Sequence, residues 1–518
     1  MVIIGRKRKI YTDNFGFLLC VFDLKNRRFR CIIFIVIAEM GGDFMELSKE
    51  LEKQIKKQKL ILESPNMYKS IMILAFPIFL SNFMKAFNDL IDMFFASTIL
   101  DAAKESAGRA AITIPGPVFM ISAALAIGFM TAGAAMMAQY LGARQKENAQ
   151  RVSGQLLLLC MIIGFVMNII LFLVTPSLMR LMGAEGQTLE YMIQYVRIRS
   201  FEMVPLFAFF AFQATRTASG DTVSPFILNA IMIITNIAFT YIFMEYFGLE
   251  IAGAAYGTLL GNVIIMPIFI FLMFKKSERH IYITLKDIKF DSSLIRRLFK
   301  LAWPAAVSQA FTSTGFLILN SIIFSYGPAT VDAFQVGNKI NSMILMPAMG
   351  VGSVTATFVG QNIGARNIPR ARKAVRTAMI MSVVIALIGC IGILPIRELI
   401  IKIFLEDTPE SLSLSIEYMF FVLTGLPLMS IFQVFIGTYQ GSGETMFSLI
   451  LASTRLWLIR IPLVLIFKNY YKLPSSSIWY AMIISNFALV YIGTILYTRC
   501  KFQPRVKLEE KELSPGVA

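Results

Sequence analysis

The chain has 518 residues, of which 56% are hydrophobic and only 16% are charged. About a quarter of the residues of a soluble domain are usually charged, so this composition excludes an ordinary soluble protein and indicates a surface covered largely by lipid. The formal net charge of +17 would suggest a nucleic-acid partner in a soluble protein. Here the basic residues lie mainly in short loops between apolar runs, where they set membrane topology, so we expect the lipid bilayer and no nucleic acid as a partner.

The cysteine and histidine content restricts the possible chemistry. The five cysteines are scattered, without the spacing of a metal site or a disulfide framework. His280 is the only histidine and lies in a basic segment between apolar runs, which nearly excludes a histidine metal cluster or a Ser-His-Asp triad. We therefore expect no catalytic site and no metal centre.

The N-terminal tail at 1–65 is basic and mixed, and its apolar run at 31–38 is too short to cross a bilayer. Three interpretations remain open, namely a weak signal sequence, a disordered tail and a gene start placed too far upstream. We favour the last, because Met45 opens a charged helical stretch that leads into the first long apolar segment. Detection of a native N-terminal peptide that begins before Met40 would contradict it.

Twelve long apolar segments follow the tail, and each is long enough to cross a membrane as a helix. They are continuously apolar and do not alternate, which favours helices over a β-barrel. The segments lie near 70–98, 112–141, 154–175, 190–215, 224–246, 251–274, 298–325, 330–360, 374–395, 413–439, 445–467 and 475–498.

The loops predict the orientation of these segments. Basic residues follow the second, sixth and eighth segments, whereas acidic residues such as Glu245 and Glu410 occupy alternate loops. The basic residues include Arg144, Lys146, Arg151, Lys275, Lys276, Arg296, Arg297, Arg366, Arg370 and Arg372. Because basic loops stay in the cytoplasm, we predict a multi-pass protein of the cytoplasmic (inner) membrane with both termini cytoplasmic.

Three short motifs occur twice, at the same place in each set of six segments. The pairs are Leu74–Pro77 with Leu301–Pro304, Gln139–Arg144 with Gln361–Arg366, and Ser219–Thr222 with Ser442–Thr445. Such duplication is typical of secondary transporters, whose substrate path runs along the interface between the repeats. The predicted regions are the N-terminal tail at 1–65, an N-terminal six-helix lobe at 66–274, a basic cytoplasmic linker at 275–297, a C-terminal six-helix lobe at 298–498 and a C-terminal tail at 499–518.

The order and duplication of these motifs, together with Gly257-Thr258 in the sixth segment, resemble the prokaryotic multidrug and toxic compound extrusion (MATE) family. The resemblance covers roughly residues 66–498. It implies an all-α integral membrane fold, with twelve transmembrane helices in two repeated six-helix lobes around a central cavity. It also implies antiport of cationic or amphipathic compounds against H+ or Na+. The fine pattern is closest to the branch named for DNA-damage-inducible members.

The first segment carries two carboxylates that are candidates for ion coupling. An ionisable group within the hydrocarbon is costly, so it is a functional hint by default. Asp92 matches the first-segment aspartate of the family, and we expect it to bind the coupling ion. For Asp89 two readings are equally open, a coupling carboxylate or a partner of Lys85 at i,i+4 spacing.

By the same resemblance, Asn236 and Thr258 match polar residues near the cation site of the first lobe. We therefore expect H+ or Na+ near Asp92, Asn236 and Thr258, with Asp92 and Asn236 the ligands of a bound Na+. The family branch commonly has an aspartate four residues after this asparagine, where this chain has Thr240. For Asn229, on the same helical face, we favour an interhelical hydrogen bond.

Polar residues on single helical faces are candidates for the wall of the substrate cavity. They are Asn88, Asn262, Gln309, Ser313 and Asn320. We therefore predict a secondary active multidrug efflux transporter, monomeric, whose partners are small organic substrates and the bilayer. It needs no cofactor besides the H+ or Na+ that serves as coupling ion.

Two other functions stay open. A flippase for lipid-linked saccharides would need basic residues in its cavity, where the sequence offers mainly Lys85 and Lys339. We place Arg455 and Arg460 near helix ends, at the membrane interface. A polytopic membrane enzyme would need a catalytic constellation, which the short loops do not supply.

Overall fold

Helices make up nearly all of the chain that the structure describes. The computed structural model describes residues 61–98, 102–277, 280–404, 409–506 and 508. At a few helical positions only the backbone is described, and Asp89 and Asp92 are among them.

The first half of the described chain contains eight α-helices. They are α1 (Met67–Thr98), α2 (Ala102–Thr113), α3 (Gly116–Gly142), α4 (Lys146–Leu181), α5 (Gly186–Ser200), α6 (Met203–Ala218), α7 (Val223–Tyr241) and α8 (Glu250–Phe274). One turn of π-helix, Ile242–Tyr246, continues α7.

The second half repeats this pattern with eight more. They are α9 (Ser292–Phe324), α10 (Pro328–Gly364), α11 (Ile368–Ile393), α12 (Arg397–Phe404), α13 (Pro409–Ser442), α14 (Thr445–Ser453), α15 (Ile461–Asn469) and α16 (Ser477–Arg499). A second π-helical turn, Thr454–Arg460, joins α14 to α15.

Eleven helical stretches within the described residues are long and apolar enough to cross a membrane. The all-helical membrane class is therefore confirmed. The fourth predicted segment, 190–215, differs because it is divided into α5 and α6, of 15 and 16 residues. Phe201 and Glu202 separate the two helices and keep right-handed helical backbone angles. Glu202 is buried there and pairs with Arg199 at 2.6 Å.

The helix after the linker begins earlier than the predicted lobe boundary at 298. It starts at Ser292, because the Asp291 carboxylate accepts hydrogen bonds from the backbone N–H groups of Ser293 and Leu294. This cap satisfies donors that the first helical turn would otherwise leave without partners. Hydropathy alone missed these turns because they are polar and basic.

The duplicated Gln-x-x-Gly-Ala-Arg motifs form the crossing of α3 and α10. A Cβ atom on Gly142 would lie 1.9 Å from the Gln361 carbonyl oxygen, and one on Gly364 would lie 1.9 Å from that of Gln139. Only glycine permits this approach of the two backbones. The arginine that ends each motif turns the chain in the left-handed region, with φ of 59° at Arg144 and 57° at the second copy.

Hydrogen bonds join the two lobes at this end of the molecule, which we call the basic face because the Arg144 and Arg366 turns lie on it. The amide nitrogen of Gln139 donates to the Gly441 carbonyl at 3.2 Å. That of Gln361 donates to the Ala218 carbonyl at 2.7 Å. The repeated motif therefore closes the basic face symmetrically, once from each lobe.

The segment after α16 crosses the same face. Phe502 packs in the hydrophobic core of the second lobe, and Val506 packs in that of the first. Between them the backbone N–H of Arg505 donates to Gln139 Oε1 at 2.9 Å, and the Arg505 side chain pairs with Glu444. Gln139 thus holds both the opposite lobe and the C-terminal segment.

Candidate functional site

A polar contact joins α7 to α8 within their membrane-spanning stretches. The Asn236 side-chain N–H donates to Thr258 Oγ1 at 2.9 Å, and that hydroxyl donates to the Ala254 carbonyl at 3.1 Å. Asn236 is 4% exposed, whereas Thr258 is half-buried. The structure therefore brings together two of the predicted ion-coupling residues.

Small residues on α8 allow this contact. A Cβ atom on Gly257 would lie 2.2 Å from Thr240 Oγ1 and 2.6 Å from the Thr240 backbone nitrogen. One turn further, a Cβ on Gly261 would lie 3.2 Å from the Asn236 Cβ. Close backbone approach through small residues is how membrane helices associate when water supplies no hydrophobic drive. Thr240 is completely buried as a result.

Two oxygen atoms at this contact are available to a cation. Neither the Asn236 carbonyl oxygen Oδ1 nor the Thr240 hydroxyl Oγ1 makes a hydrogen bond to any described residue. A buried polar atom without a partner costs about 1–3 kcal/mol. Amide and hydroxyl oxygens are hard ligands of the kind that alkali and alkaline-earth cations take. The donor set fits a small cation or a proton carrier placed beside α7.

The carboxylates of Asp89 and Asp92, the two acids in the prediction, lie outside the described side chains. Their helix nevertheless runs along α7. Ser81 Oγ accepts a hydrogen bond from Asn229 at 3.1 Å, and the Phe95 ring lies 6.0 Å from that of Tyr241. Asp92 lies between these two contacts along α1. The interhelical hydrogen bond expected for Asn229 is confirmed.

The predicted cavity residues fall in different environments. Asn262 and Ser313 are buried, and the Asn262 amide donates to the Thr258 carbonyl at 3.0 Å. Asn88, Gln309 and Asn320 are half-buried. Asn262 therefore belongs to the same polar cluster as Thr258. The roles of all five in the substrate path stay predictions.

A cleft of about 710 Å³, its open mouth included, lies between the lobes next to the basic face. Both lobes contribute walls, and α1, α3, α6, α10 and α13 all take part. Its lining mixes hydroxyl and amide groups with apolar side chains. The polar side chains are those of Thr131, Gln213, Thr217, Thr222, Ser353, Thr357 and Gln440. The predicted cavity residues do not line this cleft.

Two arginines in the second lobe are the residues that sequence reasoning misjudged. Arg455 and Arg460 are each 3% exposed, and they lie in the π-helical turn in the middle of a membrane-spanning stretch. The expectation that they occupy helix ends at the membrane interface was wrong. Their positions inside the apolar segment 445–467 were the available signal.

Arg455 lies among aromatic and thioether groups. Its guanidinium carbon is 5.0 Å from the ring centre of Phe432 and 5.8 Å from that of Phe316. One terminal nitrogen lies 3.1 Å from the sulfur of Met429, whereas Nε has no hydrogen-bond partner among the described residues. Its positive charge is therefore held chiefly by ring faces.

Arg460 is held by neutral hydrogen-bond acceptors. Nε donates to Ser485 Oγ at 2.9 Å and Nη2 donates to Asn486 Oδ1 at 2.8 Å. Among the described ion pairs, none places a carboxylate within 4.0 Å of either arginine. Within the part of the second lobe that the structure describes, two arginines thus lie inside the membrane without a carboxylate partner.

Two repeated helical bundles that meet around a cleft, with ionisable and polar groups buried in their spans, define a secondary membrane transporter. The MatE family model matches the chain twice, over residues 77–242 and 304–466, once in each lobe. The chain therefore belongs to the MatE family, and the resemblance found in its motifs is confirmed. Membership of a transporter family sets aside the membrane-enzyme alternative.

Known relatives match over most of their length. The chain is 25% identical over 443 residues to the probable multidrug resistance protein YoeA of Bacillus subtilis, which covers 84% of this chain and 93% of that protein. It is 21% identical over 467 residues to the probable multidrug resistance protein NorM of Thermotoga maritima, covering 87% and 96%. A solved outward-facing multidrug resistance MATE transporter superposes with a TM-score of 0.79 at 24% identity, covering 86% of this chain and 97% of that one.

Proposed function

We propose that this protein is a secondary active exporter of cationic or amphipathic small organic molecules, driven by H+ or Na+. The names of its relatives describe multidrug resistance and multidrug export proteins, and the proposal extends that activity to this chain. It also assigns the chain to the branch named for DNA-damage-inducible members.

The observation that carries the ion-coupling proposal is the buried contact between α7 and α8. Asn236 and Thr240 each present an oxygen without a hydrogen-bond donor from the described residues, at a point along α7 where α1 runs beside it. A carboxylate on α1 would complete a cation site with these oxygens, and Asp92 is the candidate. Asp89 is the alternative.

The mechanism proposed is alternating access between the two lobes. We take the closed basic face and the cleft beside it to represent a state that is open away from the basic loops. If those loops are cytoplasmic, as the positive-inside rule predicts, this state faces outward. An ion that enters from outside drives the cycle only through its different affinity for the two states.

Three finer features belong to the same proposal. Both termini lie in the cytoplasm, the protein resides in the cytoplasmic (inner) membrane, and it functions as a monomer. The charge asymmetry of the loops supports the first two. The closure of the basic face within one chain supports the third, because each lobe finds its partner in the same polypeptide.

Export of ethidium from proteoliposomes tests the proposal. Proton and sodium gradients are imposed separately, and the initial rate is measured for the parent and for Asp92→Asn. We expect efflux driven by one of the two gradients and lost in Asp92→Asn. Folded protein that exports neither ethidium nor other organic cations under either gradient would contradict the proposal. Efflux that survives in Asp92→Asn would transfer the coupling role to Asp89.

A flippase for lipid-linked saccharides is the second candidate function, and one observation favours it. Carriers of this kind have anionic phosphate groups, which need basic residues inside the protein. The sequence pointed mainly to Lys85 and Lys339, whereas Arg455 and Arg460 are buried in the second lobe. Phosphate-dependent lipid movement without ethidium efflux would favour this function over drug export.

A further inference from the structure

The proposed export of cations assigns no role to the two buried arginines of the second lobe. They lie in the turn Thr454–Arg460, between α14 and α15. We propose that Arg455 and Arg460 form a binding site for the anionic group, a carboxylate or a phosphate, of an amphipathic molecule. We call this pair the arginine site.

Burying two positive charges without a described carboxylate partner has an energetic cost, which is the first argument for the arginine site. A buried ion loses several kcal/mol of solvation, which only a partner charge or well-placed hydrogen bonds offset. No described carboxylate lies within ion-pair distance of either guanidinium. A bound anion would supply the missing partner charge.

The π-turn places the two arginines on nearly the same side of their helix. In an α-helix with 3.6 residues per turn, residues five apart point about 140° away from each other. The hydrogen bonds of a π-turn instead close between residues five apart, so these residues lie on nearly the same side. Arg455 and Arg460 are five apart and both belong to the π-turn. Single π-turns inside α-helices are frequent at functional sites.

Arg455 keeps unused hydrogen-bonding capacity. A guanidinium has five N–H donors in a planar fork that matches two oxygens of a carboxylate or phosphate. Those of Arg455 meet one thioether sulfur, on Met429, and Nε meets no acceptor among described residues. Arg460 instead donates to Ser485 and Asn486. Arg455 therefore supplies the hydrogen bonds to a ligand, and Arg460 supplies a second charge.

The surroundings specify the rest of the ligand. Phe316 and Phe432 lie against Arg455, and the Met429 sulfur touches it. Aromatic rings and flexible thioethers suit an apolar body of variable shape. Phe316 lies on the face of α9 that also carries Ser313 and is predicted to face the substrate cavity. The proposed approach to the arginine site therefore runs past Phe316, from the side of that predicted cavity.

The ligand is therefore an amphiphile with one oxyanion head. A free organic acid and a membrane phospholipid both present this chemistry. The site goes beyond the proposed export of cations, because it would let the second lobe hold anionic or zwitterionic amphiphiles. Its binding chemistry does not depend on the coupling ion, so it can be tested apart from transport.

Calorimetric titration of the full chain in detergent, at constant ionic strength, tests the arginine site. The probes are benzoate as the carboxylate, dihexanoylphosphatidate as the lipid phosphate, and benzyltrimethylammonium as an aromatic cation. The variants are Arg455→Gln, Arg455→Lys and Arg460→Gln. Arg499→Gln is the control, because it removes an equal charge from the exposed end of α16.

We expect saturable binding of at least one anion by the parent, weakened about tenfold or more in Arg455→Gln, since a hydrogen bond to a charged group contributes about 1.5–3 kcal/mol. Arg455→Lys keeps the charge without the fork and should give intermediate affinity. Arg499→Gln should bind like the parent, and benzyltrimethylammonium should not respond to Arg455. If Arg455→Gln fails to fold, Arg455→Lys and Arg460→Gln decide, with a loss expected in both.

The proposal is overturned if neither anion binds the parent saturably, or if the folded arginine variants bind like the parent. Tighter binding of dihexanoylphosphatidate than of benzoate identifies a lipid as the source of the anion, and the reverse identifies a free organic acid. Asp92→Asn, titrated in parallel, should retain anion binding. Failure of ion-driven export would therefore leave the arginine site intact, and the two proposals fail separately.

Discussion

The fifth and eleventh predicted spans occupy the same place in the two lobes, yet they carry opposite chemistry. Each follows a copy of the same motif, Ser219–Thr222 or Ser442–Thr445. Each contains a π-turn, as the span of α7 and the span of α14 and α15 both show. The first presents amide and hydroxyl oxygens, whereas the second presents two guanidinium groups.

The two lobes have kept some features of the duplicated sequence and have diverged in others. The motifs that close the basic face are alike in both copies, because each backbone crossing requires the other. The buried polar residues of the spans are under no such mutual constraint. On the two proposals made above, the first lobe binds cations and the second binds anions on one repeated scaffold.

The largest expected loss of stability comes from substitutions at the crossing of α3 and α10, where the two lobes are alike. Gly142→Leu and Gly364→Leu each drive a side chain into a carbonyl oxygen of the opposite lobe, 1.9 Å from the new Cβ. Both should lower the free energy of unfolding by about 3 kcal/mol or more, beyond ordinary overpacking. Thermal unfolding in detergent measures the loss.

Gly116→Leu is the control for this pair, because a Cβ at Gly116 meets no atom within 4 Å. It should unfold close to the parent. A large loss for only one of Gly142→Leu and Gly364→Leu would show that the two motif copies are not equivalent.

The next largest effect is expected on ethidium efflux, when a buried side-chain oxygen of the first lobe is removed. Asn236→Leu removes the amide oxygen and leaves Thr258 without its donor, so ion-driven ethidium efflux should fall about tenfold, the equivalent of about 1.4 kcal/mol. Asn168→Leu makes the same exchange at a buried position in α4 and should leave the rate near that of the parent. Equal rates for Asn236→Leu and the parent would remove Asn236 from the coupling site.

A smaller loss of stability is expected at two close helix contacts, one in each lobe. In Gly257→Ala the new methyl meets the Thr240 backbone nitrogen at 2.6 Å, which cannot move alone. In Gly315→Ala it meets the flexible end of Leu456 at 3.1 Å. We expect destabilisation of about 1–3 kcal/mol for the first and less for the second, by thermal unfolding. The opposite order would show that α7 and α8 separate more easily than the structure indicates.

The smallest effect isolates a structural hydrogen bond. Asn229→Ala removes the bond to Ser81 between α7 and α1, and such bonds contribute about 0.6 kcal/mol in membrane proteins. Stability should fall slightly, and the dependence of efflux on the ion gradient should not change. A double-mutant cycle with Ser81→Ala gives the coupling energy. A change in ion dependence would move Asn229 into the coupling site.

The overall fold was largely predictable because apolar length and duplicated motifs are local properties of the sequence. The motifs also identified the family and placed Asn236 and Thr258 correctly together. The division of the fourth span at Phe201 and Glu202 was not predicted. Arg197, Arg199 and Glu202 interrupt the apolar run there and were the available signal, whereas the backbone angles at the division remain helical.

The surroundings of Arg455 and Arg460 were not predictable from the sequence. The sequence places Arg455 and Arg460 inside the apolar segment 445–467 but does not show which groups surround them. It contains no information on the π-turn that brings Arg455 and Arg460 to one side. The rings around Arg455 come from α9 and α13, which only the tertiary fold brings together.

Ion binding by the purified protein tests the central claim, opposite charge preference in the two lobes, most directly. Na+ binding by calorimetry and proton uptake by pH indicator are measured for the parent, Asn236→Leu and Arg455→Gln. We predict that the parent binds one of the two ions, that Asn236→Leu loses this binding, and that Arg455→Gln retains it. Unchanged binding in Asn236→Leu, or its loss in Arg455→Gln, would contradict the account.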